Sequence, residues 1–492
     1  ISLALTAAVE GADIANHVEV VRLLKDSNNK IYGATLRDDI TGDTWDLHAR
    51  VIINATGPFS DSIRKMDDPE TENIVCPSSG VHIILPDYYS PKHMGLLDAA
   101  TSDGRVIFFL PWQNSVIAGT TDTETEVTNR PRAKEEEIQF ILNEITSYLS
   151  PDIQVRRSDV LSAWAGIRPL VLDPTKSSTE GLARNHIVIS SESGLVTIAG
   201  GKWTTYRAMA YDTMERAIKD FNLQPKEDCK TEEILLIGAH AYNPTLKIRL
   251  TQEYGMESQI AEHLAHTYGD RAYMVADLAK STGQHWPIVG CRISSGYPYI
   301  EAEIIYSVRN EMARTLVDVL ARRTRLAFLN VTASADAIPR IASIMQKELG
   351  WTDEEREAQE TDAIEFLRTM GYVDSHISHE NMQRYRTTFK HADGGSGVIS
   401  MEQFKQALKS LNIEYDSEQI PSLYELCQSE DGMNFREFVQ VCHAQHYTIT
   451  RFTNIPQLVE MIDRGIEAEK IRAKVESEPE TFLLPERSGG GV

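Results

Sequence analysis

The segment TIAGGKWTTYRAMAYDTMERAI, residues 197–218, carries three signals in one short run. Val196, Ile198 and Ala199 read as the end of an apolar strand. Gly200 and Gly201 follow, then Lys202 and the hydroxyls of Thr204 and Thr205. From there Tyr206, Met209, Ala210, Thr213, Met214, Ala217, Ile218 and Phe221 recur at helical spacing. The order is strand, glycine turn, helix. The first turn of a helix has unpaired N–H groups and the positive end of the macrodipole, so it attracts anions. Glycines let a ligand approach the backbone closely, and a lysine adds a point charge. A ligand cradle and a plain tight turn capped by Thr204 or Thr205 fit these residues equally well.

Working outward, the 492 residues are enough for two to four domains. The chain is 41% hydrophobic and 25% charged, an ordinary balance for a protein with a real core. Its net charge of -23 argues against general nucleic-acid binding, while a few arginines could still line an anion pocket. No apolar run approaches the roughly 18–20 residues of a spanning helix. Cys76, Cys229, Cys291, Cys427 and Cys442 form no CxxC pair, against both a disulfide framework and a zinc site. The opening ISLALTAAVEGA has no initiator Met and reads as the middle of a helix, so an N-terminally shortened chain is expected.

Up to about residue 220 the pattern is β-rich. ARVIINATG (49–57), RVIFFLPW (105–112), SVIAGTTD (115–122), HIVIS (186–190) and LVTIAGG (195–201) are short apolar runs ending in turn residues. Gln113-Asn114 joins the second and third as a hairpin. AKEEEIQFILNEITSYL (133–149) is a helix with an acidic first turn. From about 245 to 370 the periodicity is helical: the run 301–329 puts Met312, Leu316, Val319 and Leu320 on a common face, and 352–372 is a surface helix ending at Gly371. Two helix–loop–helix patterns occupy about 375–447, and the last residues have the composition of a loose tail.

Four further stretches bear chemistry. NATGPFSD (54–61) ends a strand at Gly57, a placement that borders many nucleotide or flavin sites. GVHIILP (80–86) puts His82 within an apolar strand, as a core residue or a base. WAGIRPLV (164–171) places Arg168 before Pro169, and GLARNHIVI (181–189) places Arg184 at a strand entrance. Burying an unpaired guanidinium is costly, so each needs an internal partner or an anionic ligand. With Lys202 the two arginines form a plausible anion clamp, since guanidinium forks match phosphate oxygens.

In order along the chain, INATGPFSDSIRKMDD, GVHIILPDYYSPKHMGLLDAATSDGRVIFFLPW, AGTTDT, WAGIRPLV, AGGKWTTYRAMA, WPIVG, YPYIEAEI and RRTRLAFLN resemble the FAD-dependent mitochondrial glycerol-3-phosphate dehydrogenases, in the animal-type form with a C-terminal EF-hand pair. The resemblance implies an α/β flavin-binding fold with an inserted β-sheet substrate domain, then a helical cap and an EF-hand-like helical domain. Here that gives flavin-domain pieces at 1–75 and 166–222, a substrate domain at 76–165, a cap at 223–372, an EF-hand-like pair at 373–447 and a C-terminal helix and tail at 448–492. It also implies His82 and Arg168 as catalytic and Arg168, Arg184 and Lys202 as substrate-binding. Thr56, Gly57, Gly200, Gly201, Lys202, Thr204 and Thr205 are the residues it implies beside FAD. The implied reaction oxidises sn-glycerol 3-phosphate to dihydroxyacetone phosphate and passes electrons to ubiquinone, on the inner mitochondrial membrane as a peripheral protein. Homo-oligomer formation stays open.

Two departures qualify the resemblance. No GxGxxG, the turn that carries the FAD pyrophosphate, occurs in the 492 residues. The EF-hand loops are degenerate: with Gly397 at position 6, Ala392, Gly394, Ser396 and Gln403 stand at positions 1, 3, 5 and 12, and the second loop, near Gly432, is one residue short before Glu437. No metal site and no tight calcium binding are expected. These departures leave two alternatives: a non-catalytic EF-hand-bearing scaffold, or a related flavin oxidase that uses oxygen.

Overall fold

Alternation decides the central sheet. Val81, Ile83 and Leu85 are fully buried and point to one face, where the helix Glu135–Tyr148 covers them with Ile138, Ile141, Leu142 and Ile145. Gly80, His82 and Ile84 therefore point to the other face. The computed structural model describes residues 1–372 apart from 91–92, 99–100, 102–105, 150–154, 173–181 and 184. Beyond these it describes 379–411, 413, 420, 424, 432–435, 438, 439, 441 and 442. Two compact units divide between Tyr372 and Val373.

In the first unit, β1 (Val18–Lys25), β2 (Ile31–Asp38) and β3 (Thr44–His48) form an antiparallel meander. β4 (Ile52–Asn54) runs parallel to β13 (Leu195–Gly200), which pairs antiparallel with β12 (His186–Ser190). The larger sheet runs β11 (Leu182–Ala183), β10 (Ser162–Leu172), β5 (Val75–Pro86), β8 (Ser115–Gly119), β7 (Ile107–Trp112), β6 (Leu96–Asp98), with β9 (Thr123–Glu124) also on β5. The expected hairpin is present: β7 and β8 pair up to Trp112↔Ser115, and both Gln113 and Asn114 have positive φ, the geometry of a two-residue turn. The domain boundary expected at 165/166 falls inside β10. That strand pairs with β5 without a break from Ser162↔Ile84 to Val171↔Val75.

The helices are α1 (Ser2–Val9), α2 (Ser60–Asp67), α3 (Glu135–Tyr148) and α4 (Tyr206–Phe221). They continue with α5 (Leu246–Tyr254), α6 (Ser258–Tyr268), α7 (Ala272–Asp277), α8 (Glu301–Asn310), α9 (Leu326–Leu329), α10 (Val331–Leu349) and α11 (Asp353–Thr369). The stretch 301–329 is not one helix. It breaks after α8, where Met312 has φ 56, winds as a π-helix over Asp318–Arg323, and turns again at Arg325 with φ 58. Buried charge explains the break: Asp318 accepts from the backbone N–H groups of Arg314 and Thr315 and pairs with Arg322 and His17. Arg322 and Arg323 thus form local ion pairs, with Arg323 held between Glu311 and Asp318. These helices grip β10, through Ser162 Oγ donating to the Ala327 carbonyl and Phe328 packed edge-on against Trp164.

The second unit contains α12 (His379–Asp393), β14 (Val398–Ile399), α13 (Met401–Ser410) and β15 (Met433–Asn434). β14 and β15 pair antiparallel over a core of Phe389, Phe404 and Phe438.

Candidate functional site

The 197–218 junction folds as strand, turn and helix. Gly200 and Gly201 have φ of 77° and 75°, a region closed to most side chains. A Cβ on Gly200 would meet Val171 Cγ2 at 2.6 Å, and one on Gly201 would meet Met209 Sδ at 2.7 Å. Backbone conformation therefore favours glycine at both positions, and at Gly200 the close approach of Val171 demands it as well. Neither threonine caps α4 with its side chain: Thr205 holds the N-cap position, but its hydroxyl donates back to the Lys202 carbonyl at 3.0 Å. The intervening turn Trp203–Thr205 is a 3-10 helix, and that tighter winding points the hydroxyl backwards.

This junction walls a cleft of about 490 Å³, lined by Ile53, Ala55, Gly57, Pro169, Gly200, Gly201, Lys202, Trp203 and Met214. Gly57, at φ 58, has no heavy atom within 4 Å of where a Cβ would stand, so the end of β4 opens onto free space. Thr56 turns away, its hydroxyl donating to Asn54 Oδ1 at 2.7 Å. Lys202 is exposed, and its ammonium makes no hydrogen bond or ion pair among the described residues. Trp203 is 77% exposed and stacks on Tyr206. The lining is mostly apolar with one free cation at a helix entrance, which suits a flat, anionic ligand.

His82 and Arg168 share the open face of the β5–β10 pair. His82 lies opposite Trp164 on one side and Gly119 on the other, while Arg168 lies opposite Ser78. The imidazole stacks on Trp164 with centroids 5.9 Å apart and leans on Phe108 at 5.4 Å. A Cβ on Gly119 would stand 2.7 Å from His82 Cδ2, so this glycine makes room for the ring. Burial first, and then the positive charge of Arg168, push the His82 pKa down to about 4. The ring is neutral at physiological pH and can accept a proton.

Arg168 is held from three directions. Nη1 donates to the Thr121 carbonyl at 3.0 Å and to Asp122 Oδ1 at 3.1 Å, and Nη2 donates to Thr120 Oγ1 at 2.9 Å. A guanidinium has five N–H donors, so Nε–H and one Nη2–H remain uncommitted among the described residues. Gly80 supplies the slot: a Cβ there would lie 2.4 Å from Nη2. Pro169, the next residue, lines the cleft.

The structure thus brings together His82 and Arg168, and separately Gly57, Gly200, Gly201 and Lys202. Arg184 lies outside the described residues. Sequence reasoning missed Thr120, Thr121 and Asp122. Their signal was the polar run closing an otherwise apolar strand at 115–122.

Two family models match consecutive parts of the chain: FAD dependent oxidoreductase over residues 1–207 and the C-terminal domain of alpha-glycerophosphate oxidase over 229–356. Residues 1–207 thus belong to the FAD-dependent oxidoreductases. Within that class the chain's sequence sits with the mitochondrial glycerol-3-phosphate dehydrogenases: it is 50% identical over 463 residues to that of Homo sapiens, covering 90% of this chain and 63% of that protein. A match to the Arabidopsis thaliana enzyme of the same description is 47% identical over 385 residues, covering 75% and 60%. The chain therefore spans less than two thirds of the length of these relatives. The crystal structure of glycerol-3-phosphate dehydrogenase from Bacillus halodurans complexed with FAD is 26% identical, with a TM-score of 0.65 over 77% of this chain and 73% of that one.

Proposed function

We propose that the protein oxidises sn-glycerol 3-phosphate to dihydroxyacetone phosphate, as a mitochondrial FAD-linked dehydrogenase. The observation that carries this reading is a neutral, half-buried imidazole and a guanidinium with two uncommitted donors on one sheet face, beside a cleft that fits a flavin. Gly57, Gly200, Gly201 and Lys202 would hold the cofactor, with Thr56, Thr204 and Thr205 near it. When bound, the flavin supplies the hydride acceptor.

His82 takes the proton of the substrate hydroxyl, because its ring is uncharged and Trp164 and Phe108 fix its orientation. Arg168 offers its two remaining N–H donors to substrate oxygens, on the phosphate or on the developing alkoxide. Lys202 and Arg184 complete the anion clamp. We further propose ubiquinone as the electron acceptor, peripheral attachment to the inner membrane, and an EF-hand-like fold for the second unit. Among the described residues no helix is long and apolar enough to cross a membrane.

The test is anaerobic mixing of the FAD-loaded chain with sn-glycerol 3-phosphate. Bleaching of the flavin, with dihydroxyacetone phosphate formed, supports the reading. No bleaching refutes it, and reoxidation by air with stoichiometric hydrogen peroxide would favour an oxidase instead.

A further inference from the structure

Asp122 does more than neutralise a strand arginine. Were neutralisation its only use, a carboxylate would pair end-on with both terminal nitrogens. Here Asp122 accepts from Nη1 alone, while Thr120 Oγ1 takes one Nη2–H and the Thr121 carbonyl shares Nη1. Nε–H and one Nη2–H are left over among the described residues. Its own setting also argues for function: the Asp122 side chain is 58% exposed, where an ion pair adds little stability.

The segment that carries these acceptors is itself pinned. Thr121 is fully buried; its hydroxyl accepts from Val81 N at 3.0 Å and donates to Glu137 Oε1 at 2.7 Å, in the first turn of α3. Thr123 donates to the same carboxylate oxygen at 3.2 Å. Ser78, opposite Arg168 on β5, donates to Asp122 Oδ1. Helix, loop and strand thus converge on one guanidinium, and Gly80 leaves the slot in which it lies.

We propose that Asp122 is a positioning residue for the reaction, holding Arg168 so that its Nε–H and free Nη2–H face the bound substrate oxygen. This rests on the dehydrogenase reading above. The test uses the full chain and two variants. Calorimetry measures the Kd of sn-glycerol 3-phosphate, and steady-state assays of the flavin-loaded protein measure kcat/KM.

Asp122→Ala should weaken binding and lower kcat/KM, each by about tenfold, with the melting midpoint unchanged. Asp122→Asn keeps an acceptor oxygen and should restore most of both. An Ala variant with wild-type Kd and kcat/KM overturns the proposal, as does an Asn variant no better than Ala, which would make charge alone the cause. A wild-type chain that binds substrate but never reduces flavin sinks the dehydrogenase reading while the Kd series still decides the role of Asp122. One that binds no substrate overturns both.

Discussion

His82 sits where an imidazole cannot keep a proton at neutral pH. An ordinary histidine titrates near 6.5, but burial under Trp164 and Phe108, and the Arg168 charge, bring this one down to about 4. The acid limb of kcat/KM should then fall near pH 4–5 in the free enzyme, well below the usual histidine range; a limb at pH 6.5 would remove His82 as the base. The same shift bears on stability. Because the folded pKa lies below the unfolded one, the unfolded chain binds more protons between about pH 6.5 and 4, and stability drops as pH falls through that window. His82→Phe should flatten this slope while lowering turnover by roughly 10²–10⁴, the range for loss of a general base. Denaturant midpoints at pH 7 and pH 5, beside activity at pH 7, check both halves.

At the scale of elements, two strands make the site and small residues make it possible. Gly80 and Gly119 sit where side chains would collide with Arg168 and His82. Gly80→Ala should cost about 1–3 kcal/mol as overpacking. It should lower kcat/KM further than that loss of stability explains, since the atom it meets is the Arg168 fork; activity equal to wild type in the folded variant would contradict this. The β7–β8 hairpin was legible because Gln113-Asn114 is a local turn signal. The break in 301–329 was not, because it depends on Asp318 meeting His17, some three hundred residues away in sequence. In the second unit, the loop before α13 satisfies itself: Gln403 Nε2 donates to the Ala392 carbonyl at 2.7 Å, and Asp393 accepts from the N–H groups of Gly395 and Gly397. The position that holds calcium through a bidentate Glu in a binding loop is here an amide donor turned inward. Titration calorimetry with calcium should show no micromolar binding, and chelator should leave the melting curve unchanged.

For the whole molecule, sequence and structure are legible to different depths. His82, Arg168 and the glycine junction could be picked out because each interrupts an apolar pattern with a residue that needs a reason to be there. Asp122, Thr120 and Thr121 could not be assigned roles, because acceptor geometry at Arg168 is set by strand register and by α3, neither of which is local. The division at Tyr372/Val373 gives the last prediction. The cleft and all of its lining belong to the first unit. A ligand stabilises only the state that binds it, by about 2.7 kcal/mol at a hundredfold excess over Kd. Excess FAD should therefore raise the melting transition of the first unit and leave that of the second where it was. Scanning calorimetry with and without flavin, with flavin content read by absorbance after gel filtration, checks this. An unmoved first transition would mean that Gly57, Gly200, Gly201 and Lys202 do not suffice to hold the cofactor in this chain. A joint shift would mean that the two units melt as one.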